Sequence, residues 1–192
     1  AFAAGAATAI EKARLLRSES QRAEEAAALF EVSKALTSAL RQEEVLDLIL
    51  EKACALIGVE MAAVFLIDEP TQTLDYIRGL GPGNDLFKVH RLKAGEGIAG
   101  RTVVTKGPVQ SADILADPRI TYSAEDRERI AQDGLHALLG VPLVSGARVL
   151  GALGVGERSV RNFREDEVRA LAALGSAAAV ALENARLFEA ER

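Results

Sequence analysis

The glycine-rich segment at residues 95–100 is the first stretch whose residue types could do chemistry. Gly95, Gly97 and Gly100 match the G-x-G-x-x-G pattern of dinucleotide-binding proteins. In those proteins the pattern joins a strand to a helix inside a parallel βαβ unit. Here the residues that follow, 111–119, predict an irregular segment, which argues against a dinucleotide site. What remains is a helix amino terminus with free backbone N–H groups, which can hold an anion or a carbonyl oxygen.

Two carboxylates and two histidines are the other candidates. Asp113 and Asp117 could point at a ligand or cap the turn that follows, and capping by an aspartate before Pro118 is the commoner use. His90 and His136 fall in predicted strands that are far apart in the sequence. The sequence shows no Ser/His/Asp set, pair of catalytic carboxylates or Cys/His metal spacing. It therefore predicts a non-catalytic chain without a resident cofactor.

The composition narrows the class of protein. Hydrophobic residues make up 49% of the chain, and 23 basic against 28 acidic residues give a net charge of −5, which argues against nucleic acid as a partner. Cys54 is the single cysteine, so no internal disulfide forms, and a reducing compartment is expected. The longest uncharged runs, residues 1–10 and 170–182, are too short to span a bilayer. We therefore expect a cytoplasmic domain without direct membrane contact.

The chain begins and ends with helix-forming segments. Residues 5–40 contain no proline and favour one long helix, and residues 43–57 favour a second. A last long helix is predicted over residues 163–192. Acidic residues begin both later helices, where the helix dipole favours negative charge: Glu43, Glu44, Asp47, Glu165, Asp166 and Glu167.

The hydrophobic period changes from 3.6 to 2 between these helices. Residues 61–67 and 149–155 are apolar on both faces, which predicts two adjacent central strands. Further strands are predicted at 73–78, 86–92, 109–110 and 136–143, a short helix at 98–105 and an exposed helix at 124–132. Helices at both ends of five or six hairpin-linked strands predict an α+β domain.

The two ends of the chain resemble each other. Residues 6–19 aligned with residues 178–191 share eight identities in fourteen positions, including glutamate, arginine and leucine. A match through shared alanine content is the alternative. We interpret residues 1–19 as the end of a preceding, similar domain. Residues 1–40 then form a linker helix that leads into a domain over residues 41–192.

Small and apolar residues recur at alternating steps of three and four along both terminal helices, which is coiled-coil spacing. This spacing predicts a parallel homodimer that pairs through the terminal helices. The alternative is a monomer whose helix lies on its own sheet. The predicted contact residues are Leu16, Ala23, Phe30, Leu174, Ala181 and Phe188.

Three segments together resemble GAF domains, the sensory modules of bacterial signalling proteins. They are EEVLDLILEKACALIGVEMAAVFLID from residue 43, LKAGEGIAGRTVVTKGPVQSADILADPR from residue 92, and GVPLVSGARVLGALGVGE from residue 140 with the final helix. The resemblance implies a sheet of about six mainly antiparallel strands. It also implies terminal helices packed on one face of the sheet and a small-molecule pocket on the other.

The resemblance places the pocket beside the helix that begins near Gly97. The pocket residues it suggests are His90, Gly97, Ile98, Arg101, Asp113, Ile114, Tyr122 and His136. Haem is an alternative to a chain without a cofactor, since a histidine binds haem iron in some GAF sensors. A bilin would need a cysteine near the pocket, and GAF-like methionine sulfoxide reductases need several cysteines. Cys54 satisfies neither requirement.

Phe163, Asp166 and Glu167 are similar to part of the Asn-Lys/Phe/Asp-Glu motif of cyclic-nucleotide-binding GAF domains. The spacing is one residue short and the Asn-Lys pair is not evident, so cyclic nucleotide binding stays open. The resemblance as a whole implies a non-catalytic sensory domain. Such a domain binds an unidentified small molecule and signals through coiled-coil helices to an output domain such as a histidine kinase, diguanylate cyclase or phosphatase. The alternative is a dimerisation spacer that binds no ligand.

Overall fold

Helices flank a run of six strands in this chain. The computed structural model describes residues 42–83 and 91–190, except for the side chains of residues 188–190. The predicted linker helix, the repeat and the contact residues Leu16, Ala23 and Phe30 lie outside the described residues. The elements are α1 Gln42–Ile57, β1 Met61–Asp68, β2 Thr73–Leu80, β3 Arg91–Lys93, α2 Gly97–Thr105, β4 Val109–Ser111, α3 Ala124–Asp133, β5 Ala137–Ser145, β6 Arg148–Glu157 and α4 Glu165–Ala190.

The strands form a single antiparallel sheet in the order β3-β2-β1-β6-β5-β4. The two strands predicted to be central, β1 and β6, are neighbours in the middle of this order, as their two apolar faces require. The α+β prediction is confirmed. No helix in the described part of the chain is long and apolar enough to cross a membrane.

The described strand boundaries differ from the predictions by one or two residues. Strand β3 covers Arg91–Lys93 and pairs with three residues of β2, and residues 86–90 of the strand predicted over 86–92 lie outside the described residues. Strand β5 begins at Ala137, one residue after His136, and continues to Ser145. Gly146 turns the chain into β6 with a positive φ of 60°, which glycine adopts without steric cost.

Helices α1 and α4 cover one face of the sheet and bury its main core. Leu50 of α1, Leu139 of β5, Leu153 of β6 and Leu171 of α4 are each at most 1% exposed. Burying a leucine side chain fully contributes roughly 1.5–3 kcal/mol. This layer therefore holds both helices firmly on the sheet.

Leu174 and Ala181 occupy this same core and not an outer seam. They are 6% and 3% exposed and pack within the cluster that contains the sheet and α1. The prediction that these two residues form a dimer contact is therefore corrected: their heptad spacing reflects packing against the chain's own domain. The side chain of Phe188 lies outside the described residues.

Strand β5 is approached closely by helices on both sides. A Cβ built on Gly140 would lie 2.7 Å from Cγ2 of Ile98 and 2.7 Å from Oγ1 of Thr102, both in α2. A Cβ built on Gly175 of α4 would lie 2.9 Å from Cγ2 of Val141. Real Cβ atoms do not approach other atoms so closely. The two glycines therefore set the spacing of α2 and α4 from the strand.

We expect Gly140→Ala to lower the free energy of unfolding by about 1–3 kcal/mol, because the added methyl group must push α2 away from β5. Gly107→Ala is the matched control, since a Cβ there would meet nothing closer than 3.8 Å. The control should stay within about 0.5 kcal/mol of wild type. Urea unfolding measures both, and equal stabilities would show that α2 is not seated on Gly140.

Candidate functional site

Helix α2 and the irregular segment 112–123 cover the other face of the sheet. Side chains alternate along β1, so Met61 and Phe65 point to this face whereas Ala62 and Val64 point to the helical core. A cavity of about 40 Å³ lies between α2 and the sheet. Its lining is almost entirely apolar and includes Met61, Phe65, Leu92, Ile98, Tyr122 and Ala152.

The cavity is small for a metabolite. Ligand pockets for drug-sized molecules have volumes of roughly 300–1,000 Å³, whereas a single water molecule needs about 10–15 Å³. The cavity of 40 Å³ therefore holds a few water-sized groups. The described side chains close most of the space that the resemblance assigns to a ligand.

The amino terminus of α2 lies at this cavity, and its backbone N–H groups bond within the chain. The N–H of Gly97 donates to the carbonyl oxygen of Thr121 at 2.8 Å, and the N–H of Ile98 donates to the hydroxyl oxygen of Tyr122 at 3.4 Å. The Tyr122 side chain is only partly exposed. Burial of its hydroxyl raises the pKa of Tyr122 far above its usual value, so the phenol stays neutral.

The structure brings three of the predicted pocket residues together: Gly97 begins α2, and Ile98 and Tyr122 line the cavity. Ile114 is fully buried and belongs to the same apolar cluster as Ile98. Arg101 is on α2 but is not among the cavity-lining residues. His90 lies outside the described residues.

Asp113 and His136 lie together at the edge of this face, away from the cavity lining. Nδ1 of His136 is 3.2 Å from Oδ1 of Asp113, which is ion-pair distance without a well-aligned hydrogen bond. Burial opposes ionisation of Asp113, but contact with His136 and the N–H of Leu115 outweighs it and lowers the pKa of Asp113. The N–H of Ile114 donates to the carbonyl of His136 at 2.9 Å. These contacts tie segment 112–123 to the start of β5.

Asp117 caps the turn that it begins and that contains Pro118. Its Oδ1 accepts hydrogen bonds from the backbone N–H of Arg119 at 3.0 Å and from Nε of Arg119 at 2.9 Å. Hydrogen bonding to the Arg119 guanidinium lowers the pKa of Asp117 well below its usual value. Of the two uses that the sequence left open for Asp117, the structure shows the cap.

Phe163 and Glu167 start helix α4. An oxygen of Glu167 accepts from the N–H of Arg164 at 2.7 Å, which is one half of a capping box, and the other accepts from Arg161 at 2.7 Å. Phe163 is buried in the helical core, and the Arg161 guanidinium lies 4.7 Å from its ring centroid. The residues that are similar to a cyclic-nucleotide motif therefore fix the beginning of α4.

Cavity residues that the sequence did not single out lie on strands. Met61, Phe65, Ala152 and Gly154 all line the cavity. They occupy alternate positions of the two central strands, facing away from the helical core. The sequence therefore held a signal for these residues: side chains alternate between the two faces of a strand, so the cavity-facing positions follow once the face covered by the helices is known. The sequence alone did not show which face the helices cover.

A wider groove of about 690 Å³ lies elsewhere, between the β1–β2 turn, the β5–β6 turn and the end of α4. Its lining mixes apolar residues such as Leu66 and Leu182 with charged residues such as Glu69 and Arg148, which pair with each other. Gln42, the first residue of α1, also lines it. This groove belongs to the end of the domain where residues 1–41 join it.

Comparison with known proteins agrees with this architecture. A family model described as GAF domain matches residues 39–183, and the chain belongs to the GAF domain family. It is 26% identical over 127 residues to the Nif-specific regulatory protein of Azospirillum lipoferum, covering 66% of this chain and 20% of that protein. The chain thus spans about a fifth of the length of that relative.

Solved structures share the fold. The GAF domain of a phosphoenolpyruvate-protein phosphotransferase from Coxiella burnetii superposes with a TM-score of 0.71 at 22% identity, covering 86% of this chain and 96% of that one. Free methionine-R-sulfoxide reductase from Neisseria meningitidis, solved with its substrate, gives 0.66 at 18% identity, covering 83% and 89%. At these identities the likeness shows the fold alone.

The depressed pKa of Asp117 predicts a pH-dependent contribution to stability. Its folded-state pKa lies below the value of about 3.9 in an unfolded chain. The carboxylate therefore stabilises the fold above that pH, and this contribution is lost as the pH falls through the folded-state pKa. We expect Asp117→Asn to be less stable than wild type at neutral pH, and the difference to shrink below about pH 4.

Urea unfolding of both proteins at neutral pH and at about pH 3 measures this difference. Arg119→Gln is the control, because removing the guanidinium should remove part of the same pH-dependent contribution. A cost of Asp117→Asn that is equal at both pH values would contradict the assignment.

Proposed function

We propose that this chain is a sensory GAF domain that binds a small molecule. The resulting change would pass through its terminal helices to an output domain outside this sequence. The observation that supports this most strongly is strand β5, which takes part in both layers. Leu138 and Gly140 line the cavity, Val141 belongs to the helical core, and Leu139 belongs to both.

The close helix approaches make β5 a direct connection between the two layers. Gly140 leaves no side chain between the strand and α2, and Gly175 leaves none between the strand and α4. A ligand that shifts α2 would therefore move β5. Because Val141 contacts α4, that movement would also displace α4. A coupling free energy of about 1–3 kcal/mol, typical of allosteric proteins, would be enough to bias an output domain.

We also propose that two copies pair in parallel through the outer side of α4. Since Leu174 and Ala181 are buried, the contact falls on exposed residues at heptad steps: Ala173, Ser176, Val180 and Leu187. Val180 and Leu187 are 43% and 60% exposed, which is high for large apolar side chains. These residues replace Leu174 and Ala181 of the seam predicted from the sequence.

We expect Val180→Glu to weaken the self-association of the full chain at least tenfold, because it places a charge in the proposed seam. The exposed Val104, on α2, provides the matched control: Val104→Glu should leave association unchanged. Both substitutions are on the surface and should alter stability by no more than about 0.5 kcal/mol. Sedimentation velocity measures association, and a wild-type monomer at high micromolar concentration would refute the dimer.

We expect a metabolite among nucleotides, amino acids and organic acids to raise the melting temperature of the chain. A ligand at a hundredfold excess over its Kd stabilises by about 2.7 kcal/mol, which corresponds to roughly 5–10 °C for a chain of this size. Differential scanning fluorimetry measures the shift.

Gly154 offers a graded control for that screen. It lines the cavity, and a Cβ built there would meet nothing closer than 3.9 Å. Gly154→Ala should keep the ligand-induced shift, whereas Gly154→Val should fill the cavity and remove it. A shift that survives Gly154→Val would place the ligand elsewhere.

The second candidate function is a dimerisation spacer that binds nothing. The small apolar cavity favours it, because the described side chains leave little space to fill. A flat metabolite screen together with a dimer that Val180→Glu disrupts would support the spacer and contradict the sensor.

The wider context is also a proposal. The similarity between residues 6–19 and 178–191 supports a tandem arrangement of GAF domains. We further propose a cytoplasmic location and a histidine kinase, diguanylate cyclase or phosphatase as the output domain. Catalysis by this domain is not expected. Cys54 is half-buried and burial raises its pKa, which disfavours the reactive thiolate. Haem stays the alternative cofactor, although His136 contacts Asp113 and does not line the cavity.

A further inference from the structure

The donors at the amino terminus of α2 are already occupied by the chain's own oxygens. The N–H groups of Gly97 and Ile98 would face an incoming ligand, but they donate to the Thr121 carbonyl and the Tyr122 hydroxyl. Thr121 and Tyr122 come from the same short stretch of segment 112–123. One stretch of chain therefore satisfies both donors.

The ring of Tyr122 fills the space in front of these donors. A Cβ built on Gly97 would lie 2.5 Å from Cε1 and 3.0 Å from the hydroxyl oxygen of Tyr122. Gly97 also has a positive φ of 60°. Any other residue at position 97 would push the ring out. The absence of a side chain at position 97 therefore leaves the space that the Tyr122 ring occupies.

The Tyr122 ring lies in the cavity as a bound ligand would. Its hydroxyl is buried and its side chain lines the cavity, although the residue as a whole is partly exposed. The chain is anchored on both sides of this stretch, by the Asp117–Arg119 contacts and by Ser123, which caps α3 by accepting from the N–H of Asp126 at 3.1 Å.

We propose that Tyr122 is a built-in plug that occupies the ligand site of this domain. The ligand it stands in for is a single aromatic ring that bears an oxygen acceptor. This inference rests on the proposed sensory function and adds its regulation: the site is closed until Tyr122 leaves. A ring with an oxygen would satisfy the N–H of Ile98 as the tyrosine does, and the apolar walls would contact its carbon atoms.

The test removes the Tyr122 side chain by substitution and then adds a small molecule with the same structure as that side chain. Tyr122→Ala in the full chain should bind p-cresol, the free equivalent of the tyrosine side chain, and gain at least 5 °C in melting temperature at millimolar concentration. Wild type and Tyr122→Phe should gain less than 1 °C, because the ring still occupies the site. Toluene should shift Tyr122→Ala less than p-cresol does, since it lacks the acceptor for Ile98. A folded Tyr122→Ala that p-cresol stabilises no more than wild type would overturn the plug.

A second measurement covers the case in which Tyr122→Ala does not fold. Tyr122→Phe keeps the ring and removes only the hydroxyl oxygen. In this variant the amide hydrogen of Ile98 should exchange with solvent at least tenfold faster than in wild type, because it has lost its acceptor. The amide of Gly97, which bonds to the Thr121 carbonyl, is the internal control and should change much less. Unchanged exchange at Ile98 would overturn the assignment of the hydroxyl as the acceptor.

The plug and the sensory function fail in different ways. If p-cresol binds Tyr122→Ala but no metabolite shifts either protein, the plug stands and the sensory function falls. If a metabolite shifts wild type and Tyr122→Ala equally, a ligand binds without displacing the tyrosine, so the sensory function stands and the plug falls.

Discussion

The close contact of β5 with helices on both of its faces is the constraint on which this domain depends. Glycine at position 140 lets α2 come down onto the strand, and glycine at position 175 lets α4 come down on the other side at Val141. Protein interiors are packed densely and deform little, so displacing one of these layers requires the others to adjust. The fold therefore joins its cavity to its last helix through strand β5. This property makes a signalling role physically reasonable for this domain.

The sequence predicted the helices and strands of this fold well, because their signals are local. The apolar runs of β1 and β6 identified the central strands, and helical periodicity identified α1 and α4 within a few residues. Prediction from the sequence failed where two packing arrangements produce the same hydrophobic pattern. The heptad spacing of Leu174 and Ala181 fits a partner helix or the chain's own sheet equally well, and only the three-dimensional structure shows that these residues lie in the core.

The sequence alone did not locate the candidate site. Gly97, Ile98 and Tyr122 were suggested by the resemblance to GAF domains; Ile98 and Tyr122 line the cavity, and Gly97 lies against the Tyr122 ring. Asp113 and His136 contact each other instead. A residue type that could bind a ligand is not enough to predict a site, since the same carboxylate can satisfy nearby backbone N–H groups, and Asp113 and Asp117 both do so.

The contact between Tyr122 and α2 also bears on how tightly such a domain could hold a ligand. A buried N–H group without a partner costs roughly 1–3 kcal/mol, so a folded domain with an empty site would favour any internal oxygen within reach. Thr121 and Tyr122 supply these oxygens. A ligand must then compete with groups held at high effective concentration, and its apparent affinity falls in proportion to the fraction of molecules in which the site is open. A plug of this kind lowers affinity, but it couples each binding event to a movement of segment 112–123. Because that segment is tied to the start of β5 at His136, displacing the tyrosine would act on the strand that contacts α4.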